Sequence, residues 1–496
     1  VTTKAELIDF GEWLPDLPDL ANPGATEAKN TVPEISSYSS LADLQTFTTA
    51  LTGQALGSYW APDDLGGILN FAGDSTKLYT LLTGDTWDDV SRTVGGVYSA
   101  GLWDFAKFGS RVIAADDGQV LQYFDVDAPS TEFEDLPNAP TAKYVGTVRD
   151  FVVAGNIPAF GSDVVGWSGF NNSEQWDLTS GSLATQSDRQ ELFGRGGEVM
   201  RVVPGEYGLI FQKQAIQRMD YVGPPLVFQF DEIERKRGTP ASHSVTWFGS
   251  TVYYFGWDGF YRTDGSSESQ QISANRVSQW FLNEADSEGL DSMRAAIDRE
   301  RRLVMWAFRT SQSSAFNNRL IMYNWVADKW SWAEVDTEII AEFVSPGFVL
   351  DALDTPLPGG IDADSINVDS DAFTGGQLSI MGFATDHKSG TFDGTPLVGT
   401  LDTKEISGAD HQRLVINSVR PLYEGQPGSS VTIQVGTRNR LQDNVNYSAA
   451  RSLNAINGEA SVRINARYPR FRLNITGGFD KAIGVRANVR KTGGRA

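Results

Sequence analysis

The chain has 496 residues and a formal charge of −22, with 50 Gly, 20 Pro and no Cys. Without cysteine there is no disulfide, no thiolate metal site and no thiol nucleophile, and the acidic balance argues against a body that grips nucleic acid through clustered Lys and Arg. The length accommodates two to four ordinary domains, or one closed propeller plus a further domain; 40% hydrophobic and 11% aromatic residues with abundant Gly point to many short strands joined by turns.

Residues 1–55 are expected to form an extended N-terminal segment with a short helix. Three Pro and a Gly within 14–24 are too many for a helix or a central strand, so this stretch is expected to lie across another surface. A helix is expected over 40–51, where Leu41, Leu44 and Phe47 share a face. The opening residues are acidic and interrupted by Pro, unlike a secretory signal, and no apolar run of 18 residues occurs, so the expectation is a soluble chain without a targeting segment.

From 56 to 344 a strand, a Gly or Asp turn and a second strand recur. The clearest copy is TVYYFGWDGFYRTDG at 251–265, a hairpin whose Asp258-Gly259 supplies the backbone freedom of a tight turn. Copies start near 69, 112, 151, 208, 252 and 303, a spacing that fits propeller blades of about 40–50 residues and gives about six of them. Within this region 65–73 pairs with 77–82, Trp87 begins an outer strand, and 103–109 and 111–114 alternate as half-buried strands do. The Trp and Phe that appear once or twice per repeat are read as blade core. The polar stretch 167–195 is read as a long loop between blades. A helix is expected over 274–285 with Val277, Trp280 and Phe281 on one side, and a Trp-bearing hairpin at 323–332 closes the series.

Residues 345–395 read as an acidic loop or linker. Residues 396–496 read as a basic β-rich domain, either a small β-sandwich or an outer sheet completed by strands that the propeller began. The fold expectation is therefore all-β: a β-propeller of about six blades (56–344), an additional C-terminal β-sandwich-like domain and an extended N-terminal segment.

Chemistry-bearing patterns are few. His243, His387 and His411 stand far apart and none has metal-ligand spacing, so each is read as a surface or hydrogen-bonded residue. Neither a G-x-S-x-G elbow nor an H-E-x-x-H helix occurs, and the glycine runs lack the Lys-Ser/Thr of a phosphate cradle. Residues 362–371 space oxygen ligands closely enough for Ca²⁺ but lack the mid-loop Gly and terminal Glu, and are read as a solvated loop. No catalytic residue, metal site or cofactor is assigned, and an enzyme is not expected. Charge is uneven instead: residues 411–496 hold 14 Lys and Arg against 4 Asp and Glu, while the preceding residues carry a net −32. Arg463, Arg467, Arg470, Arg472, Arg486 and Arg490 are candidates for contact with an acidic protein surface or with DNA, docking onto another subunit being preferred, and Arg470 and Arg472 are placed on one sheet face by their alternation with Phe471.

Several phrases in order resemble the tail nozzle proteins of short-tailed bacteriophages, also called tail hub or packaged-DNA stabilisation proteins. They are Leu17-Pro-Asp-Leu-Ala-Asn-Pro-Gly-Ala-Thr-Glu-Ala-Lys-Asn-Thr-Val-Pro33, Phe71-Ala-Gly-Asp-Ser-Thr-Lys-Leu-Tyr79, Trp87-Asp-Asp-Val-Ser-Arg92, Trp103-Asp-Phe-Ala-Lys-Phe-Gly109 and the closing Ala466-Arg-Tyr-Pro-Arg-Phe-Arg472. The resemblance spans nearly the whole chain, with the acidic 345–395 segment departing from it. It implies a structural protein of the virion tail, forming a hexameric ring below the portal and the adaptor (head-to-tail connector), which retains packaged DNA and opens for ejection. Implied partners are further copies of the chain, the adaptor, tail fibre or needle proteins, a host cell surface, and double-stranded DNA in transit without sequence-specific binding. A conduit for a polyanion should not bind it, so an acidic lumen is expected, with Asp116, Asp117, Asp258 and Asp264 as candidate channel-facing carboxylates. The alternative is a receptor- or glycan-binding propeller at the virion tip, where Trp167 and Trp176 in polar loops would stack on sugars.

Overall fold

A computed structural model describes residues 4–82, 85–127, 132–313, 315–344, 378–407 and 412–491. The turn at Trp257-Asp258 illustrates how the blades are made. Thr251–Gly256 and Gly259–Thr263 pair with Gly256 opposite Gly259, and Gly259 adopts a φ of 148°, which a side chain would resist. Hairpins of this kind build seven antiparallel blades among the described residues: five are four-stranded sheets, one is a five-stranded sheet, and one is the first four strands of a ten-stranded sheet. Blade 1 starts at Gly57–Pro62, blade 2 at Asp104–Phe108, blade 3 at Tyr144–Val148, blade 4 at Val199–Val203, blade 5 at Thr246–Phe248, blade 6 at Arg294–Asp298 and blade 7 at Ile340–Val344. The first strands surround a common axis, and that of blade 7 packs against that of blade 1. The protein is a β-propeller.

Seven blades rather than about six are present because blade 7 is assembled from distant pieces. Its strands are Ile340–Val344, Leu378–Phe383, Lys388–Thr391 and Gln45–Ala50, the last contributed by the N-terminal segment. Two expectations are corrected here. Residues 40–51 are not helical: the β-branched Thr46, Thr48 and Thr49 suit an outer strand, and pairing across the ring closure overrides the helical spacing of Leu41, Leu44 and Phe47. The segment 345–395 is not wholly a linker either, since 378–391 supplies two strands of the propeller.

Closure is held by specific contacts as well as by the ladder. The amide of Ser389 donates to the buried Thr48 Oγ1 at 2.9 Å, and Trp87 Nε1 of blade 1 donates to Ser389 Oγ at 3.2 Å. Gly390 lies opposite Thr46, and a Cβ there would come within 2.0 Å of the Gln45 carbonyl oxygen. Between blades the aromatic residues form the core: Phe71, Trp103, Phe105, Phe124 and Phe133 fill the interface of blades 1 and 2, and Phe211, Tyr254 and Tyr261 that of blades 4 and 5. Each fully buried side chain of this size contributes about 1.5–3 kcal/mol. The helix is Ser278–Glu284, shorter than expected; Val277 and Phe281 are buried and Trp280 meets Trp13 edge-on at 4.8 Å.

The C-terminal residues form a sandwich that is not a separate body. One sheet runs Thr31–Pro33, Tyr38–Ser40, Phe479–Lys491, Leu414–Gly425, Ala460–Ala466, with Lys4–Asp9 also paired to Phe479–Lys491. The other continues blade 6. Its outer strand Lys329–Ala333 meets Glu27–Lys29 in parallel at Lys29 and Trp332, and the ladder passes on through Gly399–Asp402 and Tyr468–Thr476 to Ser430–Arg438. Both alternatives read from the sequence thus hold together. Val419, Ile433, Leu473 and Val485 lie in one hydrophobic core with Trp306 and Trp330 of blade 6. The N-terminal segment crosses both sandwich sheets and blade 7 instead of forming a unit of its own.

Candidate functional site

The six arginines singled out by the sequence fall into two settings. Along Tyr468–Thr476 the residues Phe471, Leu473 and Ile475 point into the sandwich core, so Arg470 and Arg472 share the opposite face. That face is occupied within the chain. Asp402, 1% exposed, receives Arg472 Nε at 2.7 Å and Nη2 at 2.8 Å, and Tyr447 donates its hydroxyl to the same carboxylate. The Arg472 guanidinium also covers the Tyr447 ring, 3.9 Å from its centre. Arg470 bonds the Tyr447 hydroxyl at 3.0 Å and pairs with Asp19 of the N-terminal segment at 3.4 Å. Arg470 and Arg472 are therefore internal clamps and are withdrawn as docking residues. Beside them Glu27 accepts from Trp332 Nε1 at 2.6 Å, and burial, with Asp402 nearby, pushes its carboxyl up to about 7.

The other four arginines are exposed. Arg486 and Arg490 project from the outer face of Phe479–Lys491, Arg463 from the edge strand Ala460–Ala466 beyond Leu414–Gly425, and Arg467 from the turn that follows. None has an ion-pair partner among the described residues. Arg420, not singled out by the sequence reading, joins them: it lies directly opposite Arg486 across the ladder and is also exposed and unpaired. The alternation of Val419 and Arg420 along Leu414–Gly425 was the signal for it. Like charges directly opposed on a sheet repel, so this face is electrostatically unsatisfied among the described residues.

The expected channel carboxylates do not form a group. Asp116 is 1% exposed in the second strand of blade 2, so burial removes it as a carboxylate facing a channel. The backbone of Asp117 lies in the same strand, and its side chain is outside the described residues. Asp258 and Asp264 are exposed, but they flank opposite ends of Gly259–Thr263 and so sit on opposite faces of the propeller; Asp258 accepts from Tyr261 and Asp264 from Ser266. The sugar-stacking alternative loses its residues as well. Trp167 and Trp176 are 2% and 8% exposed, with their indole N–H groups bonded to the carbonyls of Gln186 and Ser173. Residues 362–371 and His411 lie outside the described residues.

Sequence reasoning missed the axial channel of the propeller, because its lining comes one or two residues at a time from successive blades. The channel is a cavity of about 680 Å³ walled by Tyr59, Trp60, Trp103, Phe105, Trp247 and Phe248, with Asp104, Arg201, His243 and Arg294 among its charged and polar lining residues. A second cavity of about 400 Å³ lies beyond, and Arg294 lines both. Asp104 is saturated by Arg201 Nη1 at 2.6 Å and by the amides of Phe105 and Val145, each at 3.0 Å. His243 lies 2.8 Å from Arg201 Nη1, and its burial beside Arg201 and Arg294 holds its imidazole well below the usual histidine range, hence neutral. Arg294 donates only to the carbonyls of Asp291 and Met293; burial and repulsion by Arg201 push it down to about 10, still protonated at neutral pH. At the mouth Arg299 pairs with Glu342 at 3.2 Å. The propeller's own axis is thus lined by aromatic and arginine side chains and is not an acidic conduit. Among the described residues no group of three or more His, Asp and Glu could hold a metal ion.

Compared with known protein families the chain matches none, and no curated protein matches it. Among solved structures it is similar to the computationally designed Ika8 protein, at 10% identity with a TM-score of 0.37 over 71% of this chain and 99% of that one. It is similar also to YCF48 bound to D1 peptide, again at 10% identity and a TM-score of 0.37, over 58% and 84% of the two chains. Likeness at that level carries no argument about function, and the propeller assignment rests on the strand pairing itself.

Proposed function

We propose that this chain is a structural subunit of the tail nozzle of a short-tailed bacteriophage, repeating around an axis as a hexameric ring below the adaptor to retain packaged DNA and pass it at ejection. The observation that carries this reading is the exposed face bearing Arg420, Arg463, Arg486 and Arg490, which have no ion-pair partner among the described residues of a chain whose preceding part is strongly acidic. A surface of that kind is neutralised by an acidic protein surface, and in a homo-oligomer the acidic body of the next copy provides one. A sandwich that shares a continuous sheet with blade 6 holds the arginine face at a fixed angle to the propeller, as a closed ring requires. Since the propeller's own axis is lined by aromatic side chains and by Arg201 and Arg294, not by carboxylates as a group, DNA would pass between subunits, through the lumen that the assembled copies enclose.

The test is the position and stoichiometry of the chain in intact particles, together with the sedimentation of the purified chain with and without its adaptor. Replacing Arg420, Arg463, Arg486 and Arg490 together by Ser should leave the melting of the single chain nearly unchanged and abolish ring formation. A chain absent from the tail, or an assembled ring whose lumen is predominantly basic, overturns the reading.

A further inference from the structure

The axial cavity contains more cation than it can use. Among the charged groups that line it, Arg201, Arg294 and Arg299 face Asp104 and Glu342, and His243 is neutral. Asp104 is spent on Arg201 and Glu342 on Arg299, which leaves Arg294, 7% exposed, with backbone carbonyls and the longer-range attraction of Asp291. The Nε–H groups of Arg201 and of Arg294 are both buried and have no hydrogen-bond partner among the described residues. An unmet guanidinium N–H is destabilising, and in a confined apolar setting the surplus positive charge adds to that cost. A water molecule satisfies an N–H but not the charge. The remaining wall is aromatic, with Tyr59 stacked on Phe105 at 6.0 Å, and offers flat apolar surface next to the cations. A cavity of this size, mostly apolar with a few converging polar groups, has the character of a small-ligand site.

We infer that the axial cavity binds a small oxyanion, a carboxylate or phosphate group seated against the guanidinium groups of Arg201 and Arg294, with any apolar part of the ligand lying on Tyr59, Phe105 and Trp247. The role is independent of assembly: one ligand per propeller, on the axis, remote from the exposed arginine face.

Tryptophan fluorescence and calorimetry on the full chain test this, with benzoate in one arm and inorganic phosphate in the other, ionic strength being held constant with NaCl. Saturable binding at one site per chain is expected, tighter for benzoate if the aromatic wall takes part and tighter for phosphate if the guanidinium edges dominate. Arg294→Gln should weaken the preferred probe at least tenfold. Should that variant fail to fold, Ala341→Phe, which fills the cavity wall and leaves both arginines in place, should remove binding while the chain stays folded. No saturable binding of either probe up to about 10 mM, or undiminished binding by a folded variant of either kind, overturns the inference.

Discussion

Asp402 and Arg472 join the two roles that arginine plays here, and their energetics can be worked from the geometry. Arg472→Met leaves a carboxylate that is 1% exposed with the Tyr447 hydroxyl as its remaining close donor, Arg470 lying beyond. Breaking a buried pair from one side costs about 3–5 kcal/mol, because the surviving charge is stranded. Asp402→Leu is milder: the Arg472 side chain is 27% exposed and can rehydrate in part, so the loss should be about 2–3 kcal/mol. The double variant Asp402→Leu/Arg472→Met strands neither charge and should return to within about 1–2 kcal/mol of the parent. Urea unfolding, followed by tryptophan fluorescence with the slope compared across the four proteins, measures each term and the coupling between them. The reasoning is refuted if Arg472→Met costs less than about 1 kcal/mol, or if the double variant is no more stable than that single one. Either result would mean that Arg472 is free for a partner and was wrongly withdrawn as a docking residue.

Three further outcomes follow from particular contacts. Gly390→Ala drives a methyl group into the Gln45 carbonyl, so the closing strand should detach and residues 45–50 should become the first site of limited proteolysis; an unchanged digestion pattern counts against the closure. Thr48→Val keeps the shape but removes the acceptor for the Ser389 amide, and should lower stability by about 1–3 kcal/mol in thermal or denaturant unfolding. Glu27 binds its proton more tightly when folded than when unfolded, so it opposes folding increasingly as pH rises from its unfolded value of about 4.5 to about 7, by at most roughly 1.4 kcal/mol per pH unit. Glu27→Gln should flatten that part of the stability-against-pH curve, and a variant that keeps the parent's slope from pH 5 to 7 rules the assignment out.

Local pattern was enough to identify six of the blades, because each is made of sequential hairpins whose strands, turns and aromatic residues lie within about 50 residues of one another. It also placed Val277 and Phe281 on the buried side of the helix Ser278–Glu284 and its N-cap, and Arg470 with Arg472 on one sheet face, since periods of 3.6 and 2 are properties of the backbone alone. Pairing between distant segments was beyond it. That Gln45–Ala50 closes a blade begun at Ile340–Val344, and that Glu27–Lys29 stitches blade 6 to the sandwich, depends on partners hundreds of residues away. The same holds for charge. The sequence determined that basic residues gather in the last part of the chain, but only the tertiary structure decided which are spent internally, on Asp402 and Asp19, and which stand free. It likewise decided that Arg201 and Arg294, 93 residues apart and without a shared motif, meet on the axis, because a propeller brings the first strand of every blade to one line whatever their separation along the chain.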